Sequence, residues 1–151
     1  MPTYWCLVTS PDNIAKTRAR GFTVQGIKSS HRKKAEKMRP GDRIVVYATG
    51  RQAFTFTATI TSEYFEDHEP IWTSDKPKED YPFRFNITPD VVLDEDEYVP
   101  AALLVDQMHY MKKWPAQHWR LAFQGNVHVW PEDDFKLVED VMAQAARQPV
   151  G

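Results

Sequence analysis

The hydrophobic positions near the start of the chain have the spacing of a strand followed by a helix. Residues 3–9 (TYWCLVT) are rich in aromatic and β-branched side chains and predict a buried strand. Ser10 and Pro11 are favoured as an N-cap and as a first helical residue. We therefore expect a helix that runs to about Arg20 and ends at Gly21, because glycine is favoured just after a helix.

The next hydrophobic runs predict a short extended segment, a short helix and a β-hairpin. Residues 22–27 are expected to be extended, and 29–38 to form a helix with one basic side. After the turn RPGD, residues 43–49 and 54–65 are the clearest strands. In 54–65, threonine alternates with Phe, Ala and Ile, which is the period of a strand with one buried face.

The second half of the chain mixes strands and helices without a regular β-α-β rhythm. A polar loop is expected over 66–82, a strand over 83–88, a helix over 100–108 and a long amphipathic helix over 130–148. This pattern predicts one α+β domain over residues 1–151, built around a small, mostly antiparallel β-barrel.

Composition excludes several classes of site and location. The single cysteine, Cys6, lies in the first predicted strand and is expected to fill the core, so no intrachain disulfide is predicted. The five histidines are scattered, and no Cys/His spacing resembles a zinc site, so neither a metal centre nor a cofactor is expected. No signal-peptide pattern or membrane-length apolar run is present, which predicts a cytoplasmic protein without membrane association.

Charge is distributed unevenly along a chain whose net charge is only −2. Residues 1–60 carry eleven Lys and Arg against three Asp and Glu, whereas residues 61–111 carry three against thirteen. Two arrangements fit this pattern: one basic face that attracts nucleic acid, or two segments that lie side by side and cancel. The acidic segment 63–97 is also a candidate surface for a partner protein.

The densest group of cations follows the extended segment 22–27. We expect this group to hold phosphates on the rim of a pocket, with an affinity that depends on salt. Its members are Arg32, Lys33, Lys34 and Lys37. Trp72 stands alone in a polar loop, where burial in the core is less expected, and is therefore a candidate wall of that pocket.

Most catalytic motifs are absent from the sequence. It contains neither the G-x-S-x-G nucleophile elbow nor a phosphate-binding G-x-x-x-x-G-K loop, and the acidic run 94–97 is too dense for a tuned acid/base pair. One enzymatic alternative stays open. In it, Lys28 is a desolvated general base at the barrel mouth, with Glu63 and either Thr49 or Thr61 as partners.

Three segments together resemble an EVE domain: TYWCLVTSPDN near the start, the block 24–47, and HWRLAFQGNVHVWPEDDF near the end. The resemblance is to the small single-domain EVE proteins, which are similar to YTH domains and belong to the PUA-like superfamily. It implies a small curved β-barrel flanked by short helices. It also implies a nucleic-acid-binding module that captures a modified DNA or RNA base at the barrel mouth, because YTH domains hold N6-methyladenine in an aromatic cage.

The resemblance also implies where such a base would lie. The first strand end and the helix start match the YTH segment that meets the base edge, and the position where a Trp usually precedes the family glycine is here Gln25. This departure removes one cage wall and offers an amide that could hydrogen-bond a base edge. Three alternatives follow: the ligand differs, Phe22 or Trp72 supplies the second wall, or the pocket has lost base binding. The implied base-binding residues are Thr9, Ser10, Asn13, Phe22, Gln25, Gly26, Ile27, Lys28, Tyr47, Thr49 and Trp72.

Two further implications come from the same superfamily. Residues 120–125 (RLAFQG) match a near-terminal strand of the family, which would bring Arg120 and Gln124 towards the pocket. The ASCH branch includes amidohydrolases that act on modified nucleosides, and this is the source of the enzymatic alternative on Lys28, Thr49 and Glu63.

Overall fold

The computed structural model describes residues 2–74, 76 and 78–146, and its framework is one curled sheet. The strands are β1 (Tyr4–Thr9), β2 (Val24–Ile27), β3 (Arg43–Ala48), β4 (Ala53–Ile60), β5 (Phe65–Glu66), β6 (Phe83–Val92), β7 (Val99–Pro100) and β8 (Val127–Trp130). Along the main path the strand order is β2-β6-β4-β3-β1-β8. Only the β1–β3 pair is parallel among the strand pairs of these residues.

Among the residues that the structure describes, three α-helices and several 3-10 turns flank the sheet. The α-helices are α1 (Pro11–Ala19), α2 (Arg32–Ala35) and α3 (Glu132–Ala146). Helix α1 begins as predicted, because the backbone N–H of Asn13 donates to the Ser10 hydroxyl at 3.2 Å. Helix α3 confirms the long amphipathic helix, although residues 147 and 148 of that prediction lie outside the described residues. No helix in the described part of the chain combines the length and the apolar character that a bilayer crossing requires.

Both faces of the sheet are covered, which the sequence pattern did not predict. One core packs around Phe54 and Phe135 beneath α3, and the other packs around Trp5 and Phe85. Strand β4 separates the two cores, so Thr57 is buried and donates a hydrogen bond to Glu139 of α3 at 2.7 Å. Thr55 and Thr57 therefore make polar contacts inside the fold, whereas Thr59 is half-buried and Thr61 is exposed. Cys6 is fully buried, as expected, and burial raises the pKa of its thiol.

Three predicted elements differ from the observed ones. The helix expected over 29–38 is a 3-10 turn (Ser29–His31) followed by the single turn of α2. The helix expected over 100–108 is a pair of 3-10 turns. The strand implied for 120–125 is wrong, because Ala116–Phe123 is 3-10 helical and Gln124 is extended only as its C-cap.

A single side chain closes the gap between the two ends of the curled sheet. Asn126, just before β8, accepts a hydrogen bond from the backbone N–H of Lys28, just after β2, at 3.0 Å. Its amide nitrogen donates to the carbonyl of Val8 in β1 at 2.9 Å, and Asn126 is only 3% exposed. Strands β2 and β8 do not pair with each other, and the Asn126 side chain joins the two sides of the barrel there.

The basic and acidic segments lie side by side and largely neutralise each other. Several ion pairs join residues 1–60 to residues 61–111 across the fold. They are Arg18–Asp94, Arg20–Glu69, Lys28–Glu79, Arg39–Glu63, Arg43–Asp90 and Arg51–Glu95. Of the two arrangements that fit the charge pattern, the structure therefore favours the second, in which the two segments lie side by side. Most arginines of residues 1–60 are paired with carboxylates of residues 61–111. The cations of the 32–37 segment are an exception that is described below.

Candidate binding cleft

A polar cleft opens where the end of β1, the start of α1, the end of β2 and the approach to β8 meet. Its volume is about 330 Å³, at the lower end of the roughly 300–1,000 Å³ typical of small-molecule sites. It is lined by Val8, Thr9, Ser10, Asp12, Asn13, Lys28, Thr49, Thr73, Ser74, Tyr81, Phe123, Gly125 and Asn126.

The structure brings part of the predicted base-binding set to this cleft. Thr9, Ser10, Asn13, Lys28 and Thr49 line it together, although they come from four different parts of the chain. The other predicted residues do not line it and are buried in the fold: Phe22, Gln25, Gly26, Ile27, Tyr47 and Trp72. The predicted set therefore divides into a lining layer and a supporting layer.

Asn13 joins α1 to the loop on the opposite side of the cleft. Its side-chain oxygen accepts the backbone N–H of Thr73 at 2.9 Å, and its amide nitrogen donates to the Thr73 carbonyl at 2.8 Å. The same nitrogen lies 3.3 Å from the hydroxyl of Thr9 and 3.4 Å from that of Tyr81. These contacts use most of the hydrogen-bonding capacity of the Asn13 side chain. Asn13 therefore mainly stabilises the wall of the cleft.

Trp72 fills the space over Gly26, although the family resemblance implies that both residues contact a base. A Cβ atom on Gly26 would lie 2.5 Å from the Trp72 ring, so the glycine admits the protein's own indole. Trp72 is 5% exposed, and its Nε1 donates to the Thr17 hydroxyl at 2.9 Å. Gln25 lies in the same buried layer, 3.4 Å from that hydroxyl.

Lys28 and Glu79 form an ion pair at the rim, with Nζ and Oε1 3.3 Å apart. Ser74 donates to the same carboxylate oxygen at 2.6 Å. The Ser74 hydrogen bond, and to a lesser degree the Lys28 ammonium, lower the pKa of the Glu79 carboxyl against the opposing effect of burial. The loop that carries residues 73–81 is thus held to β2 as well as to α1.

Aromatic rings give the cleft its apolar side. Phe123 lines it and stacks on Tyr47, with ring centroids 3.9 Å apart and planes within 5°. Tyr47 is buried, and burial raises the pKa of its hydroxyl to about 12, so it is neutral at physiological pH. Tyr81 also lines the cleft, and burial raises the pKa of its hydroxyl too. Tyr47 thus supports an aromatic wall made by Phe123.

The predicted phosphate-binding cations follow Lys28 along the chain. Arg32, Lys33 and Lys37 are exposed, and Arg32 lies 3.5 Å from Glu36 on the next turn. Lys34 is half-buried, and its ammonium donates to the carbonyl of Val127 at 2.7 Å. The segment therefore keeps exposed positive charge, while Lys34 has a structural contact with β8.

The three residues of the enzymatic alternative do not meet. Lys28 and Thr49 line the cleft, but Glu63 does not, and its carboxylate pairs with Arg39 at 3.3 Å. Thr61 does not line the cleft either. Glu79 is the carboxylate that contacts Lys28, and the sequence analysis did not identify it.

Two other features are weaker candidates for a ligand site. A groove of similar volume lined by residues such as Met108, Met111, Trp114 and Trp119 is mainly apolar and offers few groups that could orient a ligand. Within the described residues, Asp94, Asp96 and Glu97 are the only acidic, His or Cys side chains grouped closely enough to share a metal ion. Asp94 and Glu97 already form a capping box.

Several cleft residues were not predicted from the sequence: Asp12, Thr73, Ser74, Tyr81, Phe123, Gly125 and Asn126. The clearest local signal is the Gly-Asn pair. Gly125 has φ 81°, a value that favours glycine, and the turn it permits carries Asn126 to the mouth of the barrel. The contacts of residues 73–81 with α1 and β2 span about fifty positions in sequence, and no local pattern indicates them.

Comparisons with known proteins give a family model, a curated relative and solved structures. A family model described as EVE domain matches residues 3–141. A UPF0310 protein of Pyrococcus abyssi is 26% identical over 148 residues, which cover 93% of this chain and 99% of that protein.

Several of the similar solved structures are complexes with nucleic acid, and two of them carry a modified base. One is human THYN1 in complex with 5-methylcytosine-containing DNA, with a TM-score of 0.58 and 14% identity over 97% of this chain and 99% of that one. The other is the YTH domain of Zygosaccharomyces rouxii MRB1 with N6-methyladenosine RNA, with a TM-score of 0.65 and 15% identity over 93% and 86%. At these identities the likeness shows the fold, and it confirms the small, curved, PUA-like α+β barrel.

Proposed function

The chain belongs to the EVE domain family, and from that premise we propose that it is a non-catalytic module that captures a modified nucleobase of DNA or RNA in the cleft beside Lys28. The observation that carries this proposal is the composition of the cleft. The cleft is lined by an aromatic side chain, Phe123, of which a small part is exposed, and by polar groups of Thr9, Ser10 and Lys28. A flat heteroaromatic ring with hydrogen-bonding edges matches both kinds of wall.

The bound base would pack on Phe123 and direct its polar edge towards the end of β1 and the start of α1. Gln25 and Trp72 would act indirectly, because they support the wall and do not line it. The base-binding role of the predicted set is thus proposed for the lining residues Thr9, Ser10, Asn13, Lys28 and Thr49. A supporting role is proposed for Phe22, Gln25, Gly26, Ile27, Tyr47 and Trp72.

Two of the similar solved structures support this proposal, because one holds a DNA with 5-methylcytosine and the other an RNA with N6-methyladenosine. The enzymatic alternative has less support, because Glu63 is paired with Arg39 outside the cleft. A partner protein on the acidic segment 63–97 also has less support, because several of its carboxylates pair with arginines of the same chain. A cytoplasmic location stays a prediction.

Blocking the cleft tests the proposal. Thr49 is exposed at the cleft, so Thr49→Trp would place an indole in the space proposed for the base. We expect the affinity for short single-stranded oligonucleotides carrying 5-methylcytosine or N6-methyladenine to fall about tenfold or more, since a base stack is worth about 1–3 kcal/mol. Fluorescence anisotropy of labelled oligonucleotides measures this change.

The matched control is Thr88→Trp, which adds the same side chain at an exposed threonine of β6 that does not line the cleft. It should bind as the wild type does, and both variants should keep the free energy of unfolding within about 0.5 kcal/mol of the wild type. Undiminished binding by Thr49→Trp would count against the cleft as the site.

The exposed cations of the rim should contribute affinity without selecting a sequence. We expect Lys33→Ala to weaken binding to all oligonucleotides about equally and to reduce the slope of log K against log salt concentration by about one. Titrations at several salt concentrations measure that slope. Lys136→Ala, an exposed lysine of α3, is the control and should leave it unchanged. An unchanged slope for Lys33→Ala would contradict a contact between the 32–37 segment and the nucleic acid.

A further inference from the structure

Most polar side chains of the cleft are already engaged within the protein. Asn13 is bonded to the Thr73 backbone, and Asn126 joins Val8 to Lys28. Ser74 donates to Glu79. These groups shape the cleft, but they keep little capacity to read a ligand. The hydroxyls of Ser10 and Thr49 also remain for a ligand, but each can donate as well as accept. Selectivity must therefore come from the charged groups that are still available.

Asp12 is the available acceptor. It lines the cleft from the first turn of α1, and it is exposed. Within residues 2–74, 76 and 78–146, its carboxylate has no hydrogen bond or ion pair with another side chain or backbone group. An ionised carboxylate accepts hydrogen bonds and donates none, so it attracts N–H groups and repels carbonyl oxygens.

Lys28 is the available donor. Its ammonium carries three N–H groups, and within the described residues its ion-pair partner is Glu79 at 3.3 Å, so donors are left for a ligand. Since Asp12 and Lys28 line the same cleft, it presents an acceptor-only group and a donor-only group to one bound ring. A base that suits both must have an N–H group and an acceptor on its polar edge.

Nucleobases differ in this respect. Cytosine and adenine carry an exocyclic amine beside a ring nitrogen acceptor, and guanine carries an exocyclic amine as well. Thymine and uracil have a carbonyl oxygen in place of the amine and an N–H in place of the adjacent ring acceptor of cytosine, so in the same orientation both contacts would be reversed. Carboxylates are known partners of the cytosine amine in nucleic-acid readout. A carbonyl facing Asp12 would instead place two acceptors against each other.

We propose that Asp12 makes the cleft selective for bases with an exocyclic amino group, accepting an N–H of that amine while Lys28 donates to a neighbouring acceptor of the ring. This inference rests on the proposed base-binding function and adds the class of base. It also gives Asp12 a role in recognising the base. Its position in the first turn of α1 would otherwise suggest only a favourable interaction with the helix dipole.

The test compares 5-methylcytosine with thymine, which share the 5-methyl group and differ at the amine and the adjacent ring nitrogen. Identical short single-stranded DNAs carry one or the other at a central position. We expect the wild type to bind the 5-methylcytosine strand about tenfold more tightly or better, as one well-made base contact allows. A third strand with N4,N4-dimethylcytosine, which lacks the N–H donors, should bind as weakly as the thymine strand.

Asp12→Asn should reduce this preference to about threefold or less, because its amide can also donate to the thymine carbonyl. The control is Asp133→Asn, which removes a matching exposed aspartate from the first turn of α3 and should keep the full preference. Equal wild-type binding of the 5-methylcytosine and thymine strands, or a preference that survives Asp12→Asn, would overturn the inference and leave base capture intact. If no strand binds the wild type, base capture itself fails and the inference fails with it.

Discussion

Trp72→Ala should lower the free energy of unfolding by about 3–5 kcal/mol, as expected when a large aromatic side chain is removed from a packed interior. Trp72 is buried against Gly26 and Tyr81, and its indole N–H is bonded to Thr17. The sequence alone suggests the opposite, a binding defect with little loss of stability, because the tryptophan lies in a polar loop. Urea unfolding followed by far-UV circular dichroism measures the change.

Trp72→Phe is the conservative comparison. It keeps an aromatic ring but removes the donor to Thr17, so its cost should be smaller, about 1–3 kcal/mol. A Trp72→Ala protein that is as stable as the wild type but no longer binds oligonucleotides would mean that the indole is a cage wall after all.

Gly26→Ala tests the contact between Gly26 and the Trp72 ring from the other side. The added methyl group would meet the Trp72 ring at 2.5 Å and the Tyr81 carbonyl at 3.1 Å, so we expect a loss of about 1–3 kcal/mol from overpacking. In the Trp72→Ala background the ring is gone, and the same substitution should cost clearly less. Additive costs would show that the two residues do not share the space that the structure assigns to them.

Asn126→Ala should have the second largest effect, a loss of about 2–4 kcal/mol, because it leaves two buried backbone groups without partners. Those groups are the N–H of Lys28, just after the edge strand β2, and the carbonyl of Val8 in β1, which pairs with the other edge strand, β8. Amide hydrogen exchange should therefore accelerate most at the edges β2 and β8. Both edges border the cleft, so binding of oligonucleotides should weaken as well.

The control for this substitution is Asn86→Ala, which truncates an exposed asparagine of β6. It should change stability by no more than about 0.5 kcal/mol. If Asn126→Ala were equally mild, the barrel would be closed by something other than this side chain.

The sequence was sufficient for the elements whose signals are local. The N-cap at Ser10, strands β1 and β3, and the amphipathic helix α3 follow from capping, β-branched content and helical period. The 3-10 helical segment Ala116–Phe123 was not predictable in the same way, because its aromatic residues suit a strand as well as a turn packed on the core.

The candidate site was predictable only at the ends of β1, β2 and β3 and at the start of α1. Thr9, Ser10, Asn13 and Lys28 meet because consecutive elements end at the same mouth of the barrel. The other wall depends on contacts that are distant in sequence, such as those of Asn13 with Thr73, and local patterns carry no information about them. Trp72 was assigned to the ligand site because it lies in a polar loop. The polarity of a loop does not indicate whether an aromatic ring that it carries is buried.

The most direct test of base capture is to map the bound position by NMR. A ¹⁵N-labelled protein would be titrated with a short single-stranded DNA that carries one 5-methylcytosine, and amide shifts would be followed by two-dimensional spectra. If a base binds in the cleft, we expect the largest chemical-shift changes at backbone amides that line it, those of Thr9, Ser10, Thr49, Gly125 and Asn126. Changes confined to the apolar groove over 105–119 or to α3, or no changes at all, would contradict base capture in the cleft.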